Sequence, residues 1–135
     1  MREKKYGRII NISSIGALYP PASAAHYNTA KMGVLGFTYA LASELAPFNI
    51  LVNAILPGPV GWTSFWDPLV PPDADRNALF ADMGKKTVPL GRIGTPDDIA
   101  GAALFLASEH SSFITGVGLN VAGGIPFKPS AHQMK

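Results

Sequence analysis

The chain has no cysteine, which excludes disulfides and thiolate zinc sites. Charge is sparse: 15% of the residues are Asp, Glu, Lys or Arg, and the net charge is +2. The basic residues are scattered, and their densest grouping is Arg2, Lys4, Lys5 and Arg8 at the very start. That is no nucleic-acid footprint, so no nucleic-acid partner is expected. Long apolar runs are missing too. No window approaches the ~18 uninterrupted apolar residues of a membrane span. The opening "MREKKYGRIINIS" is charged and then only briefly apolar, too short for a signal-peptide core. No membrane partner is expected, and a cytoplasmic setting fits. His26, His110 and His132 lack ligand spacing, so no metal site is expected. Internal repeats and low-complexity segments are also absent.

What is present is a core-rich chain of 135 residues, 47% of them hydrophobic. That length and composition suit one globular domain, residues 1–135. Residues 8–12, "RIINI", read as a short buried strand because β-branched residues dominate. Two serines follow at its carboxyl end. Residues 24–46 read as one long helix that Pro47 stops. Gly33 and Gly36 inside it cost roughly 1 kcal/mol each in helix propensity, a cost that predicts close approach by another helix or a strand. Residues 50–56, "ILVNAIL", read as a second buried strand, closed by Pro57–Gly58–Pro59. An irregular Pro-rich stretch then holds Trp62, Phe65 and Trp66, and residues 75–86 suggest a short helix. Thr95, Pro96, Asp97 and Asp98 carry the start signals of a third helix. Residues 116–124, "GVGLNVAGG", read as a third strand ending in a glycine turn, and residues 125–135 as a tail. Strands alternating with helices, without hairpin turns, predict an α/β fold with a parallel sheet.

One segment carries chemistry. Tyr27 and Lys31 are four apart on the long helix and so share a face. A tyrosine near pKa ~10 is a poor acid or base at neutral pH. A neighbouring ammonium favours its phenolate. Ser14 stands thirteen residues before Tyr27, at a strand's carboxyl end. Ligands bind along that edge of open α/β sheets, and a serine hydroxyl there can donate to a carbonyl or alcohol oxygen. A Tyr–Lys pair alone is common surface decoration, and adjacent serines are common loop residues. The joint pattern decides the matter.

"GRIINISS", "YNTAK", "VNAILPG", "PLGRIGTPDDIAGAALFLASEHSSFITG" and "NVAGG" occur in that order between about Gly7 and Gly124. Together they make the chain resemble a short-chain dehydrogenase/reductase. The resemblance implies part of a Rossmann-like, doubly wound parallel sheet: the last three strands and their helices. It implies hydride transfer between NAD or NADP and a small-molecule carbonyl or secondary alcohol. Tyr27 would be the general acid/base. Lys31 would hold the nicotinamide ribose hydroxyls and lower the pKa of Tyr27. Ser14 would polarise the substrate oxygen. Pro57 and Gly58 would contact the nicotinamide end through the backbone, and Val60 would bond the carboxamide through its main chain. Asn53 would be structural. Residues 61–88 would form the substrate loop, with Trp62, Phe65 and Trp66 against an apolar substrate; the same aromatics could equally pack beneath the loop. The long helix would form a homo-oligomer interface through Gly33, Gly36 and Ala40.

The chain also departs from the pattern. Family members often place a threonine about five residues after the Pro of the Pro-Gly pair. Trp62 occupies that place, and Thr63 comes one residue later, so a cofactor contact from Thr63 requires a one-residue shift of the loop. The family's glycine-rich strand–turn–helix has no counterpart; Gly116 and Gly118 open a strand. The Asn-Asn-Ala-Gly segment and the helix bearing a fourth catalytic residue, an asparagine, are missing, and Asn11 lies on a strand. The chain therefore resembles the C-terminal half of such an enzyme. It carries the acid/base machinery without the pyrophosphate site or the residues that choose NAD over NADP. Two expectations follow. Strand 8–12 should be an open sheet edge. The chain by itself should be catalytically silent, either an interaction domain or one half of an enzyme that needs its companion.

Overall fold

The computed structural model describes residues 1–127. Three strands form one parallel sheet: β1 (Gly7–Ile12), β2 (Ile50–Pro57) and β3 (Gly118–Val121), in the order β1-β2-β3. β1 pairs with β2 from Gly7 opposite Ile50 to Ile12 opposite Ile55. β3 pairs on the other side, from Ala54 opposite Gly118 to Pro57 opposite Val121. β2 is thus central, which explains its near-continuous apolar sequence: strands covered on both faces have no polar side to show. Ile50 through Leu56 are all buried.

Side chains alternate along a strand, and β2 sorts its residues accordingly. Ile50 and Val52 pack against Ala42 and Leu45 of α1 (Ala25–Leu45), with Ile9 of β1 joining them. Ala54 and Leu56 meet Leu35 of the same helix. Leu51, Asn53 and Ile55 are buried on the opposite face, and α3 (Pro96–Ala107) packs across all three strands. Helices on both faces of a parallel sheet make this part of a Rossmann-like, doubly wound fold. Asn53 is structural, as expected. Its Nδ2 donates to the Ile114 carbonyl at 2.9 Å and its Oδ1 accepts the Val117 N–H at 3.1 Å, fastening the chain that leads into β3.

Local chemistry sets the helix ends. After α1, Pro47 sits in a 3-10 turn and Asn49 takes a left-handed conformation, φ 54°. Asp75 caps α2 (Arg76–Thr87), accepting N–H groups from Asn77 and Ala78. Thr95 and Asp98 form a reciprocal capping box at the start of α3, with Pro96 in the first turn. α2 and the segments beside it have their own small core, in which Phe80, Val88 and Ile93 are buried and Trp66, Met83 and Ile125 pack around them.

The structure corrects three details of the sequence reading. The third strand is only Gly118–Val121. Gly116, expected inside the strand, has positive φ and turns the chain before it, while Gly123 and Gly124, also at positive φ, form the expected glycine turn after it. Gly33 and Gly36 meet nothing: a Cβ on either would have no neighbour within 4 Å. Their close partner, expected from the cost in helix propensity, is not supplied by the described residues. Finally, the predicted tail begins inside the fold, since Ile125 packs on the α2 core. Residues 128–135 lie outside the described part.

Both ends of the sheet are edges, and they differ. β3 is four residues long and carries an exposed Asn120. β1 is six residues long and rich in isoleucine, with Ile12 47% exposed. It has no proline to blunt it. Protective devices of that kind are what exposed edges usually show.

Candidate active site

The carboxyl ends of β1 and β2 open into a cavity of about 680 Å³. Ser14, Tyr27 and Lys31 line it together with Pro57, Gly58, Val60, Thr63, Phe65 and Trp66. Nine of the ten residues expected at the site from the sequence therefore share one space. The tenth, Trp62, is not in the lining. Its ring meets Phe80 edge-on at 5.2 Å and its indole N–H donates to Asn77 Oδ1 at 3.0 Å.

Hydrogen bonds tie the strand side of the cavity to α1. Ser13 Oγ donates to the Lys31 carbonyl at 2.7 Å, and Lys31 Nζ donates to the Ile12 carbonyl at 3.1 Å. These two bonds strap the end of β1 to the first turns of the helix. Asn11 Nδ2 adds a third link, to Thr38 Oγ1 at 3.0 Å. Ser14 begins a 3-10 turn, Ile15–Ala17, and its Oγ accepts the Gly16 N–H at 3.1 Å. Lys31 Nζ lies 5.8 Å from the centroid of the Tyr27 ring. Lys31 is the one charged residue in the lining among the described residues.

The other side of the cavity rests on a short parallel bridge between Val60 and Gly94. Gly94 N–H donates to the Pro59 carbonyl at 2.9 Å, and Gly61 N–H to the Gly94 carbonyl at 3.0 Å. In such a bridge the N–H and C=O of Val60 itself point away from Gly94. The Val60 carbonyl takes the Trp66 indole N–H at 2.6 Å. Trp62 has a left-handed backbone, φ 54°, unusual for a bulky residue. Thr63 follows it in an extended conformation and lines the cavity. The bridge is anchored in turn by Asp98. Its carboxylate accepts both terminal nitrogens of Arg92, at 2.7 and 2.9 Å, and the Thr95 N–H at 2.7 Å. The Arg92 guanidinium, and next the Thr95 N–H, hold the Asp98 carboxyl well below the usual carboxylate range.

Sequence reasoning missed Asn28. It lines the cavity, is 8% exposed, and donates through Nδ2 to the Pro21 carbonyl at 3.3 Å. Its Oδ1 is buried without a partner. Helical phase could have found it, because it shares the buried face of α1 with Leu35, Thr38, Ala42 and Leu45. Tyr19, Pro96 and Ile99 also line the cavity. Pro96 and Ile99 belong to the "TPDDIAG" stretch that opens α3, which the sequence marks by its helix-start signals and its resemblance but not as part of the site.

A parallel sheet with a serine, a tyrosine and a lysine gathered at its carboxyl end defines a class, and comparison with known proteins gives the same one. The family model described as "Enoyl-(Acyl carrier protein) reductase", of the short-chain type, matches residues 1–126. The chain belongs to the short-chain dehydrogenase/reductase family of oxidoreductases. Among its relatives, Nodulation protein G of Azospirillum brasilense is 42% identical over 128 residues, covering 95% of this chain and 49% of that protein. The 3-oxoacyl-[acyl-carrier-protein] reductase FabG of Aquifex aeolicus is 39% identical, covering 93% and 47%. An NAD+-bound xylitol dehydrogenase superposes with a TM-score of 0.78 at 35% identity, covering 92% of this chain and 51% of that one. The chain thus spans about half the length of the relatives it matches.

Proposed function

We propose that this chain carries the proton-transfer and substrate-binding half of an NAD(P)-dependent reductase or dehydrogenase acting on a carbonyl or secondary alcohol. One observation carries the reading: Ser14, Tyr27 and Lys31 line a single, largely apolar cavity at the carboxyl end of a parallel sheet. In the reductive direction, Ser14 donates a hydrogen bond to the substrate oxygen. Tyr27 gives that oxygen its proton as negative charge develops on it. The Lys31 ammonium beside the Tyr27 ring stabilises the phenolate left behind. In the oxidative direction the same groups run in reverse.

The residues present fit the nicotinamide end of a cofactor. Lys31 offers an ammonium to ribose hydroxyls. The Val60 N–H, turned away from the Gly94 bridge, has no acceptor among the described residues and suits a carboxamide oxygen. Thr63 adds a hydroxyl nearby. The cofactor, when bound, supplies or accepts the hydride. Phe65 and Trp66 favour an apolar substrate body. Residues 61–88 act as its loop, though Trp62 and Trp66 also serve the packing around Phe80.

A second reading has its own observation. β1 is an open edge, and Met32 and Phe37 of α1 are 45% and 58% exposed beside Gly33, Gly36 and Ala40. Those surfaces support self-association through α1, or docking of a companion segment before any activity appears. No helix is long and apolar enough to cross a membrane among the described residues.

Titration of the chain with NADH and NADPH to millimolar concentration, by calorimetry and cofactor fluorescence, separates the two readings. Saturable binding is expected if the nicotinamide end suffices. No binding favours the silent or companion-dependent reading. Where turnover is found, Tyr27→Phe should reduce it by about 10²- to 10⁴-fold; full activity in that variant would mean that Tyr27 is not the proton donor.

A further inference from the structure

We propose that Asn28 is a positioning residue for Ser14: its Oδ1 is the resting acceptor of the Ser14 hydroxyl hydrogen. This rests on the proposed function, in which Ser14 donates to the substrate oxygen. Asn28 Oδ1 is buried and unpartnered, and native structures rarely leave such an atom unmatched. The donation of Nδ2 to the Pro21 carbonyl fixes which way the amide faces. Ser14 supplies the complementary vacancy. Its Oγ accepts the Gly16 N–H, and its own hydrogen goes to no described residue. Both oxygens lie next to the space that a Cβ on Gly16 would fill. A Cβ there would lie 2.9 Å from Asn28 Oδ1 and 3.4 Å from Ser14 Oγ. The two side chains are not hydrogen-bonded in this structure; pairing them requires a side-chain movement that brings Ser14 Oγ and Asn28 Oδ1 within about 3 Å.

The pairing has a chemical consequence. The Asn28 amide oxygen is a neutral acceptor, comparable with a ketone oxygen. A ground-state carbonyl therefore gains little by taking the Ser14 hydrogen from it. An oxygen that is acquiring negative charge gains more, because charge-assisted hydrogen bonds are roughly twice as strong as neutral ones. Asn28 thus reserves Ser14 for the developing oxyanion, and such selective interactions lower a barrier.

A double-mutant cycle read by urea unfolding of the chain tests the link. Ser14→Ala should lower the midpoint by about 0.5 M urea when Asn28 is present, and by clearly less in the Asn28→Ala background. Ser14→Thr, which keeps the hydroxyl, should restore most of the midpoint. Should Asn28→Ala fail to fold, Asn28→Asp replaces it. The Ser14→Ala penalty should then grow as pH rises from about 4 to 7 and the carboxylate forms, a dependence that mere packing would not produce. An equal penalty in every background, unmoved by pH and not rescued by threonine, overturns the proposal. Tyr27→Phe should leave the cycle intact, so the cycle reports on Asn28 whether or not the chain turns over a carbonyl.

Discussion

On the strand side of the cavity, Ser14, Tyr27 and Lys31 hang from a hydrogen-bonded frame: the β1–β2 ladder, the Ser13–Lys31 and Lys31–Ile12 straps, and the Asn11–Thr38 link. On the loop side, Phe65 and Trp66 hang from aromatic packing around Phe80, with one indole bond to Val60 and one short bridge to Gly94. The first wall is directional and tied to the central sheet. The second depends on a core of three buried residues. Hydrogen-bonded ladders keep groups in register for proton transfer. A small aromatic cluster can open and close as a unit, and regions of low local stability often serve as binding loops.

The largest expected effect falls on the loop wall. Phe80→Ala should cost about 3–5 kcal/mol locally. Amide exchange should show α2 losing protection while β2 keeps it. Equal loss in both would mean that the two walls unfold together, and the contrast between them would be lost.

The strand wall has its own weak point at Gly16. A methyl there would press on Asn28 Oδ1 at 2.9 Å, and Gly16→Ala should cost about 1–3 kcal/mol. Thermal melts should show the loss, and adding Asn28→Ala should recover part of it. A neutral Gly16→Ala would show that the Ser14 turn is looser than its hydrogen bonds suggest.

How much of the molecule was legible in the sequence follows the same division. Ser14, Tyr27 and Lys31 could be read because a shared helix face and a strand end drew attention to them and the resemblance of the surrounding motifs supplied their roles. Asn28 sat unread between two of them, although its phase on the buried side of α1 marked it as a polar residue in need of partners. The loop wall resisted reading for a different reason. Phe80, Val88 and Ile93 come from a helix, its exit and a turn, so no single period links them. The resemblance put Trp62 on the substrate loop, either against substrate or packed beneath the loop, and its contacts with Phe80 and Asn77 are those of the packed alternative. The cost of Gly33 and Gly36 was legible, and its recipient is not among the described residues.

A smaller effect sharpens the role of Trp66. Trp66→Phe keeps the aromatic body and deletes the bond to the Val60 carbonyl. It should cost about 1 kcal/mol, visible as a lower urea midpoint. A loss several times larger would mean that the indole bond, more than the packing, holds the loop.

The smallest effect near neutrality concerns Asp98, which anchors the bridge beneath the loop. Its folded-state carboxyl is depressed below its ordinary value of 3.8. Its contribution is therefore complete above that value and is lost as pH falls through the folded-state value. Stability should be flat between about pH 5 and 7 with respect to this group and decline below about pH 4. Asp98→Asn should lower the urea midpoint at pH 7 and flatten the acid limb. An unchanged acid limb would assign the decline to other carboxylates.

Lys31 occupies two offices at once. The ammonium that faces the cavity is also the far end of a strap, bonded to the Ile12 carbonyl at 3.1 Å. A variant without that ammonium deletes a charge and slackens a joint in the same stroke. Any phenotype of a Lys31 substitution is consequently a composite, and assigning all of it to chemistry would overstate the lysine's part in proton transfer. A lost function at this position would be evidence about the hinge between strand and helix as much as about the reaction.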